Sequence, residues 1–154
     1  MKYRRNRSLG KYFGVALYRE FFKHLARKHE ADSDLVLVPI PGSTKGLRER
    51  GFNHAEIIAR TIAESAQTDG FAIPVATGLL RRTRKQARQV DAKTRKRRMK
   101  NMEDGFTIRE GAAIRGKVVI LIDDVITTGA TVEAAKAALL PHRPKRVFAI
   151  AVAH

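Results

Sequence analysis

The chain contains no cysteine and no tryptophan, and aromatic residues make up only 6% of its 154 residues. Without cysteine it can form no disulfide framework, cysteine-ligated zinc site or iron–sulfur cluster, and it has no thiol nucleophile. No apolar run reaches the ~18–20 residues that span a bilayer, and the N-terminal MKYRRNRSLG leads into no signal-peptide core. These absences predict a soluble, cytoplasmic protein with no membrane partner.

Acidic residues are also scarce, because 15 Asp and Glu oppose 31 Lys and Arg and leave a net charge of +16. The apolar share of 44% is nevertheless that of a globular chain, and the length predicts one domain over residues 1–154. Residues 81–100 carry eleven of the basic side chains and a single acid, Asp91. Three interpretations of this basic stretch stay open: a solvated loop, a loop that meets phosphates, or a nucleic-acid-binding surface.

Helical and strand patterns alternate along the first half of the chain. An apolar residue every four positions predicts an amphipathic helix in the N-terminal segment 1–30, with Ser8 as its N-cap. A second helix is predicted from Asn53, which forms a capping-box pattern with Glu56. Strands are predicted at 35–38, at 71–75 on a sheet edge because Pro74 cannot donate a backbone hydrogen bond, and at 105–108.

The second half begins with the clearest strand, 118–122, which is continuous, apolar and β-branched. A helix with apolar residues at 132, 135, 138 and 139 follows, and a final strand is predicted at 146–153. Strand–helix alternation of this kind predicts right-handed crossovers. We therefore expect an α/β fold whose mostly parallel sheet is flanked by helices.

Two adjacent carboxylates, Asp123 and Asp124, come directly after the clearest strand and precede a loop rich in hydroxyl groups. In open α/β sheets, ligands bind beyond the carboxyl ends of the strands. The loop supplies backbone N–H groups at a helix N-terminus, where an anion is favoured, and Gly129 permits close approach of a phosphate. The carboxylates suit vicinal ribose hydroxyls, directly or through a divalent cation. Together they predict a site for a phosphorylated sugar.

The segment VVILIDDVITTGAT at 118–131 resembles the phosphoribosyl pyrophosphate (PRPP) signature of type I phosphoribosyltransferases. A second block, VPIP at 38–41 with LRERGFNHAE at 47–56, is similar to the corresponding block of the ComF family. Within and just after the basic stretch, the similarity extends to Gln89, Arg98, Asn101 and Phe106. The resemblance covers essentially the whole chain.

The resemblance implies the type I phosphoribosyltransferase fold, with a small N-terminal hood at 1–30 and a basic flexible loop at 81–101. It implies that Asp123 and Asp124 hold the ribose hydroxyls, with Mg²⁺ as cofactor bound by the same pair. It implies a 5′-phosphate site made of Thr127, Thr128, Gly129, Ala130 and Thr131. Many ComF proteins also carry an N-terminal cysteine-rich zinc module, which this sequence lacks; the module is either absent from the protein or truncated away.

The loop at 41–45 lies where this fold class places its pyrophosphate loop. Its candidate phosphate ligands are Gly42, Ser43 and Thr44, and Lys45 is a candidate catalytic residue that stabilises the leaving pyrophosphate. Arg48 and Arg50 come after that loop and before the helix at 53, and their guanidinium groups suit phosphate oxygens. We assign no role to any of the five histidines.

Three functions fit the sequence. The first is a phosphoribosyltransferase that moves phosphoribosyl from PRPP to a nitrogenous acceptor and releases pyrophosphate. The second is a protein that senses PRPP or a nucleotide without catalysis. The third is a competence-type protein that binds single-stranded DNA or another polyanion through residues 81–100. The family resemblance also implies a homodimer.

Overall fold

The computed structural model describes residues 2–28, 34–83 and 105–153. The helices are α1 (Lys2–Leu17), α2 (Lys23–Lys28), α3 (Thr44–Arg50), α4 (His54–Thr68) and α5 (Ala130–Leu139). The strands are β1 (Leu35–Pro39), β2 (Leu80–Arg82), β3 (Phe106–Ile108), β4 (Val118–Val125) and β5 (Arg146–Ala153). A π-helical turn, Tyr18–Phe22, joins α1 to α2, and short 3₁₀ turns lie at Gly111–Ile114 and Leu140–His142.

A three-stranded parallel sheet in the order β1–β4–β5 lies at the centre of the described residues. Leu37 pairs with Ile120, and Ile120 pairs with Phe148. This confirms the prediction of an α/β fold with a parallel sheet. The edge strand predicted at 71–75 is only partly present, because Val75 alone forms a bridge to Leu37.

Apolar side chains cover both faces of this sheet, as a parallel sheet requires. On one face, α4 and the N-terminal helices bury Leu37, Ile120 and Ile122. On the other face, α5 and the 105–114 region bury Val119 and Leu121. Within the described ranges, no helix is both long enough and apolar enough to cross a bilayer.

The N-terminal segment is helical over Lys2–Lys28 and packs against α4. The helix begins well before Ser8, so the prediction of Ser8 as N-cap was wrong. Tyr18 and Phe22 are buried in the core, whereas Leu9 and Phe21 are exposed. A spacing of four residues drifts by about 40° per step around a helix of 100° per residue, so the predicted stripe follows the buried face only in part, at Leu17 and Leu25, which pack against the core.

Glycines bring α1 close to α4. A Cβ atom added at Gly14 would lie 2.6 Å from Cβ of Thr61 and 3.1 Å from the carbonyl oxygen of Ile58. One added at Gly10 would lie 3.1 Å from Cγ2 of Ile57. The two glycines are one helical turn apart on the same face, and they allow α1 to lie directly on the backbone of α4.

A separate antiparallel ribbon forms where the basic stretch begins and ends. β2 pairs with β3, with Arg82 opposite Phe106. The strand predicted at 105–108 is confirmed as β3, but β2 was missed, because Arg81 and Arg82 were assigned to the basic loop. The rest of the predicted loop at 81–101, including Gln89, Arg98 and Asn101, lies outside the described residues apart from Thr83.

Candidate functional site

The carboxyl ends of β1 and β4 lie side by side, so the two loops predicted to bind phosphate begin at the same edge of the sheet. The backbone N–H of Ile40 donates to the carbonyl of Ile122 at 2.8 Å, which continues the pairing to the end of the strands. The amide of Asn53 donates to the carbonyl of Ile40 at 3.0 Å. Ligands of α/β sheets bind at such a carboxyl edge.

Asn53 therefore fastens α4 to the end of β1 instead of capping its own helix. It occupies the N-cap position of α4, but its side chain makes no capping hydrogen bond. Glu56 pairs with Arg60, at 2.9 Å, rather than reaching back to Asn53. The predicted position of the helix start is right, and the predicted capping box is wrong.

Asp123 and Asp124 are the last polar residues of β4 before the phosphate loop. The N–H of Asp124 donates to Oδ1 of Asp123 at 2.9 Å, and the N–H of Val125 donates to Oδ1 of Asp124 at 3.0 Å. Side chains alternate along a strand, and Asp124 follows Ile122 on the face covered by α4. The two carboxylates thus have different neighbours although they are adjacent in sequence.

Asp123 resists ionisation in the folded protein. The pKa of Asp123 is raised from 3.8 to about 6, mainly by burial and also by the Asp124 carboxylate, while hydrogen bonding from the Asp124 backbone and the charge of Arg82 act in the opposite direction. A half-buried acid beside a second acid is stabilised in its charged form by a cation or by hydroxyl donors. The electrostatics of the pair therefore favour a ligand that supplies a cation, hydroxyl donors or both.

Arg82 joins the ribbon to the loop after β1. Its Nε donates to the carbonyl of Pro41 at 2.9 Å, and its guanidinium lies 5.2 Å from the centre of the Phe106 ring. From the sequence, Arg82 is only one of many basic residues, and its contacts with Pro41 and Phe106 were not predicted. No spacing signal marks it, because the contact joins residues 41 positions apart.

His54 is the other residue that the sequence analysis missed. Its Nδ1 lies 3.4 Å from Oδ2 of Asp124. Its ring packs edge-on against Phe52, with 5.0 Å between ring centres, and the Arg7 guanidinium of α1 lies 4.9 Å from the Phe52 ring centre. The available signal was its position, because His54 belongs to the block at 47–56 that carries the family resemblance.

The predicted phosphate loop of Thr127–Thr131 leads into α5. Gly129 is the N-cap residue and has φ 78°, a conformation that glycine adopts without strain. The hydroxyl of Thr128 accepts from the N–H of Ala130 at 3.4 Å, and Thr127 and Thr128 are exposed. The N–H of Ile126 donates to the carbonyl of Ala153 at 3.0 Å, which fixes the start of the loop to β5.

The predicted pyrophosphate loop is shorter than expected, because α3 begins at Thr44. Ser43 caps that helix, and its Oγ accepts from the N–H of Gly46 at 3.1 Å. Gly42 and Ser43 remain in the loop, while Thr44 and Lys45 form the first turn of α3. The side chains of Thr44 and Lys45 lie outside the described part of the structure.

Arg48 and Arg50 lie after the loop and before α4, as predicted, but they belong to α3, a helix that was not predicted. Arg48 is exposed on the surface. Arg50 folds back over Gly46, where an added Cβ atom would meet Nη2 of Arg50 at 2.5 Å. Among the described residues, Nε of Arg50 is buried without a hydrogen-bond partner. The guanidinium of Arg50 therefore lies over the first turn of α3, whereas Arg48 points to solvent.

No cluster of three or more His, Asp or Glu side chains suited to a metal occurs in residues 2–28, 34–83 or 105–153. Mg²⁺ does not require such a cage, because it is commonly bound by one or two carboxylates together with water and substrate phosphates. The Asp123–Asp124 pair, of which Asp123 is desolvated by burial, fits a Mg²⁺ site of this kind.

Comparison with known proteins gives consistent results. The phosphoribosyl transferase domain profile matches residues 21–154. Competence protein ComFC of Bacillus subtilis (strain 168) is 32% identical over 126 residues, which cover 82% of this chain and 47% of that protein. The chain therefore spans about half the length of this curated relative. A structure described as the allosteric regulatory enzyme of purine biosynthesis is 20% identical to this chain and has a TM-score of 0.56. The match covers 94% of this chain and 25% of the chain in that structure.

A parallel sheet flanked by helices, with an acidic strand end followed by a phosphate-type loop, defines the type I phosphoribosyltransferase fold. The chain belongs to the phosphoribosyl transferase domain family and, within it, to the ComF proteins.

Proposed function

We propose that the protein binds PRPP at the carboxyl edge of β1 and β4 and transfers phosphoribosyl to a nitrogenous acceptor, releasing pyrophosphate. The observation that carries the proposal is the shared origin of the two loops, where Ile40 is hydrogen-bonded to Ile122. PRPP bears phosphate at one end of its ribose and pyrophosphate at the other. A ligand of this shape can reach both loops while its hydroxyls face the aspartates.

The carboxylate pair would hold the ribose. Asp123 and Asp124 each accept one backbone hydrogen bond on Oδ1, which leaves further acceptor capacity for hydroxyls or for Mg²⁺. Mg²⁺, when bound there with PRPP, would supply charge stabilisation for the phosphate oxygens. The raised pKa of Asp123 supports this assignment, because a cation or a hydroxyl donor favours its ionised form.

The 5′-phosphate would bind at the N-terminus of α5. Backbone N–H groups of Gly129, Ala130 and Thr131 lie in the first turn of that helix, where the helix dipole favours an anion. Thr127 and Thr128 are exposed and can add hydroxyl donors. Gly129 has a left-handed conformation and no Cβ atom, so the space beside this turn is open.

The pyrophosphate would bind over the start of α3. The guanidinium of Arg50 lies over Gly46 in the first turn of α3, and its buried Nε has no hydrogen-bond partner among the described residues, so Arg50 is the proposed donor there. Gly42, Ser43, Thr44 and Lys45 complete the proposed contacts, and Lys45 and Arg50 supply positive charge. We assign Arg48 to an outer contact, since it is exposed.

In the proposed reaction, the bond between the anomeric carbon and the pyrophosphate oxygen breaks and a bond from that carbon to the acceptor nitrogen forms. The acceptor proton leaves to solvent, and pyrophosphate departs with the bonding electron pair. The protein contributes by holding the ribose in place and stabilising the departing charge with Lys45 and Arg50. Residues 1–30 would form the hood that covers the acceptor.

Calorimetric titration with PRPP, with and without Mg²⁺, tests the proposal. We expect saturable, Mg²⁺-dependent binding that the D123N/D124N variant loses. E64Q/E110Q is the matched control, because it removes two negative charges from exposed positions elsewhere on the molecule. Equal PRPP binding by D123N/D124N and the control would overturn the proposal. Binding without pyrophosphate release across a panel of nitrogenous acceptors would support the non-catalytic sensing function instead.

A polyanion-binding function has support from a different part of the molecule. Basic residues collect at the amino-terminal edge of the sheet, opposite the proposed PRPP site. There the backbone N–H of Gly116 donates to the carbonyl of Arg143 at 2.9 Å, and the backbone N–H of Lys145 donates to the carbonyl of Lys117 at 2.8 Å. These bonds bring together Arg115, Lys117, Arg143, Lys145 and Arg146. Lys145 pairs with Asp34 at 3.1 Å. This second function does not depend on Asp123 or Asp124.

A further inference from the structure

His54 lies between the N-terminal helix and the carboxylate pair. It is the first residue of α4, and its ring packs edge-on against Phe52 with ring centres 5.0 Å apart. On the side of α1, a Cβ atom added at Gly10 would lie 3.9 Å from Cδ2 of His54. The imidazole is therefore held between Phe52 and the backbone of α1, and only 18% of its side chain is exposed.

The neighbouring carboxylate of Asp124 has a contact at each oxygen. Oδ1 accepts from the N–H of Val125 at 3.0 Å, and Oδ2 lies 3.4 Å from Nδ1 of His54. The terminal torsion of an aspartate is broad when nothing restrains it. Two contacts on opposite oxygens define the plane of the carboxylate, and 41% of the Asp124 side chain stays open to solvent.

We propose that His54 is a positioning residue that fixes the Asp124 carboxylate for the ribose hydroxyls of the ligand. This inference rests on the proposed PRPP function. A hydrogen-bonding group placed in advance binds its ligand more tightly than one that must be ordered on binding. The packing of His54 against α1 makes the N-terminal segment part of the sugar site through this one side chain.

The contact between His54 and Asp124 requires a fixed ring orientation. Nδ1 is the ring nitrogen nearer the backbone, and rotation of the ring would carry it away from Oδ2 of Asp124. Phe52 supplies one side of that restraint, and Phe52 is itself covered by the guanidinium of Arg7 at 4.9 Å. Arg7, Phe52, His54 and Asp124 thus form a continuous series of contacts from α1 to the site.

Substitution at His54 tests the role with a ligand comparison. H54L keeps the bulk of the ring and removes the donor, whereas H54N keeps an N–H donor close to the position of Nδ1. We expect H54L to weaken PRPP affinity by about 10-fold or more, as loss of an orienting partner does in other sites. H54N should stay within about threefold of the native protein, a margin smaller than the loss of one net hydrogen bond. H24L, at an exposed histidine of α2, is the matched control.

The same variants are titrated with inorganic pyrophosphate, which has no sugar. Pyrophosphate affinity should be unchanged in H54L, because its proposed contacts lie at α3. Equal losses for PRPP and pyrophosphate, or H54L binding PRPP as well as H24L does, would overturn the role of His54. Failure of the native protein to bind PRPP would overturn the proposed function itself. If H54L does not fold, H54A replaces it in the same comparison with H54N.

Discussion

Asp123 lowers the stability of the protein at neutral pH. Burial raises its pKa to about 6, so the folded state binds a proton more tightly than the unfolded state, where the value is 3.8. Stability contributed by this group is therefore present below pH 4 and is lost as the pH rises through 6. A ligand that brings a cation or hydroxyl donors to the Asp123 carboxylate would remove this loss of stability.

We predict that D123N becomes more stable than the native protein as the pH rises. The difference in free energy of unfolding should be small near pH 4, grow up to about pH 6 and stay constant above it. Urea unfolding at pH 4, 5, 6 and 7.5 measures it. E64Q is the control for removal of one negative charge, and a similar trend in E64Q would assign the effect to net charge. A less stable D123N at pH 7.5 would contradict the prediction.

Some residues of the site could be predicted from sequence, and others could not. Asp123, Asp124 and the loop to Thr131 form one continuous string that begins at the end of a strand, so local sequence places them together. Arg82 and His54 reach the site only through tertiary packing, across 41 positions in the case of Arg82 and Pro41. Arginine occurs throughout a chain of this charge, so nothing local distinguishes Arg82, and His54 is marked only by its place in the block at 47–56.

At the level of elements, the central strands were predictable because they are short, apolar and β-branched. β1, β4 and β5 appear where the pattern placed them. α3 was missed because TKGLRER has no apolar periodicity, and its start depends on the Ser43 cap. β2 was missed because a three-residue strand containing two arginines depends on its pairing with β3.

The contact between α1 and α4 depends on glycine more than on the apolar stripe that the sequence suggested. We predict that G14A lowers the free energy of unfolding by about 1–3 kcal/mol, the usual cost of overpacking, because its Cβ would lie 2.6 Å from Cβ of Thr61 and 3.1 Å from a backbone oxygen. Chemical denaturation measures the change. Alanine also favours a helix by about 1 kcal/mol over glycine, so a measured loss would understate the clash.

G10A provides the internal comparison. The closest atom to its Cβ would be the Cγ2 methyl of Ile57 at 3.1 Å, and a side chain can move more easily than a backbone. The loss should therefore be smaller for G10A than for G14A. Equal effects of the two substitutions, or a gain in stability for G14A, would show that α1 can move away from α4 at little cost.

At the level of the whole molecule, the net charge of +16 is divided between separate regions. Residues 81–100 carry most of it, and the amino-terminal edge of the sheet carries a further group. Both are separate from Asp123 and Asp124 in sequence, and the amino-terminal edge is opposite them in the fold. Ligand binding by these basic regions and ligand binding by the two carboxylates can therefore be tested independently.

We predict that affinity for a labelled single-stranded oligonucleotide falls steeply with salt and is kept by D123N/D124N. Each phosphate contact contributes about −0.7 to the slope of log affinity against log salt, so four or more contacts give a slope of about −2.8 or steeper. Fluorescence anisotropy at several salt concentrations measures it. A slope near zero would exclude the electrostatic interaction, and loss of binding in D123N/D124N would place the oligonucleotide at the PRPP site.

The hydrogen bond from Ile126 to Ala153 has a practical consequence for handling the protein. β5 runs alongside β4 until Ala153 lies opposite Val125, two residues before the phosphate loop begins at Thr127. A purification tag or fluorescent fusion attached after β5 would therefore emerge beside that loop and obstruct it. Labels and immobilisation linkers are better attached at the exposed C-terminal end of α4, for example at Gln67.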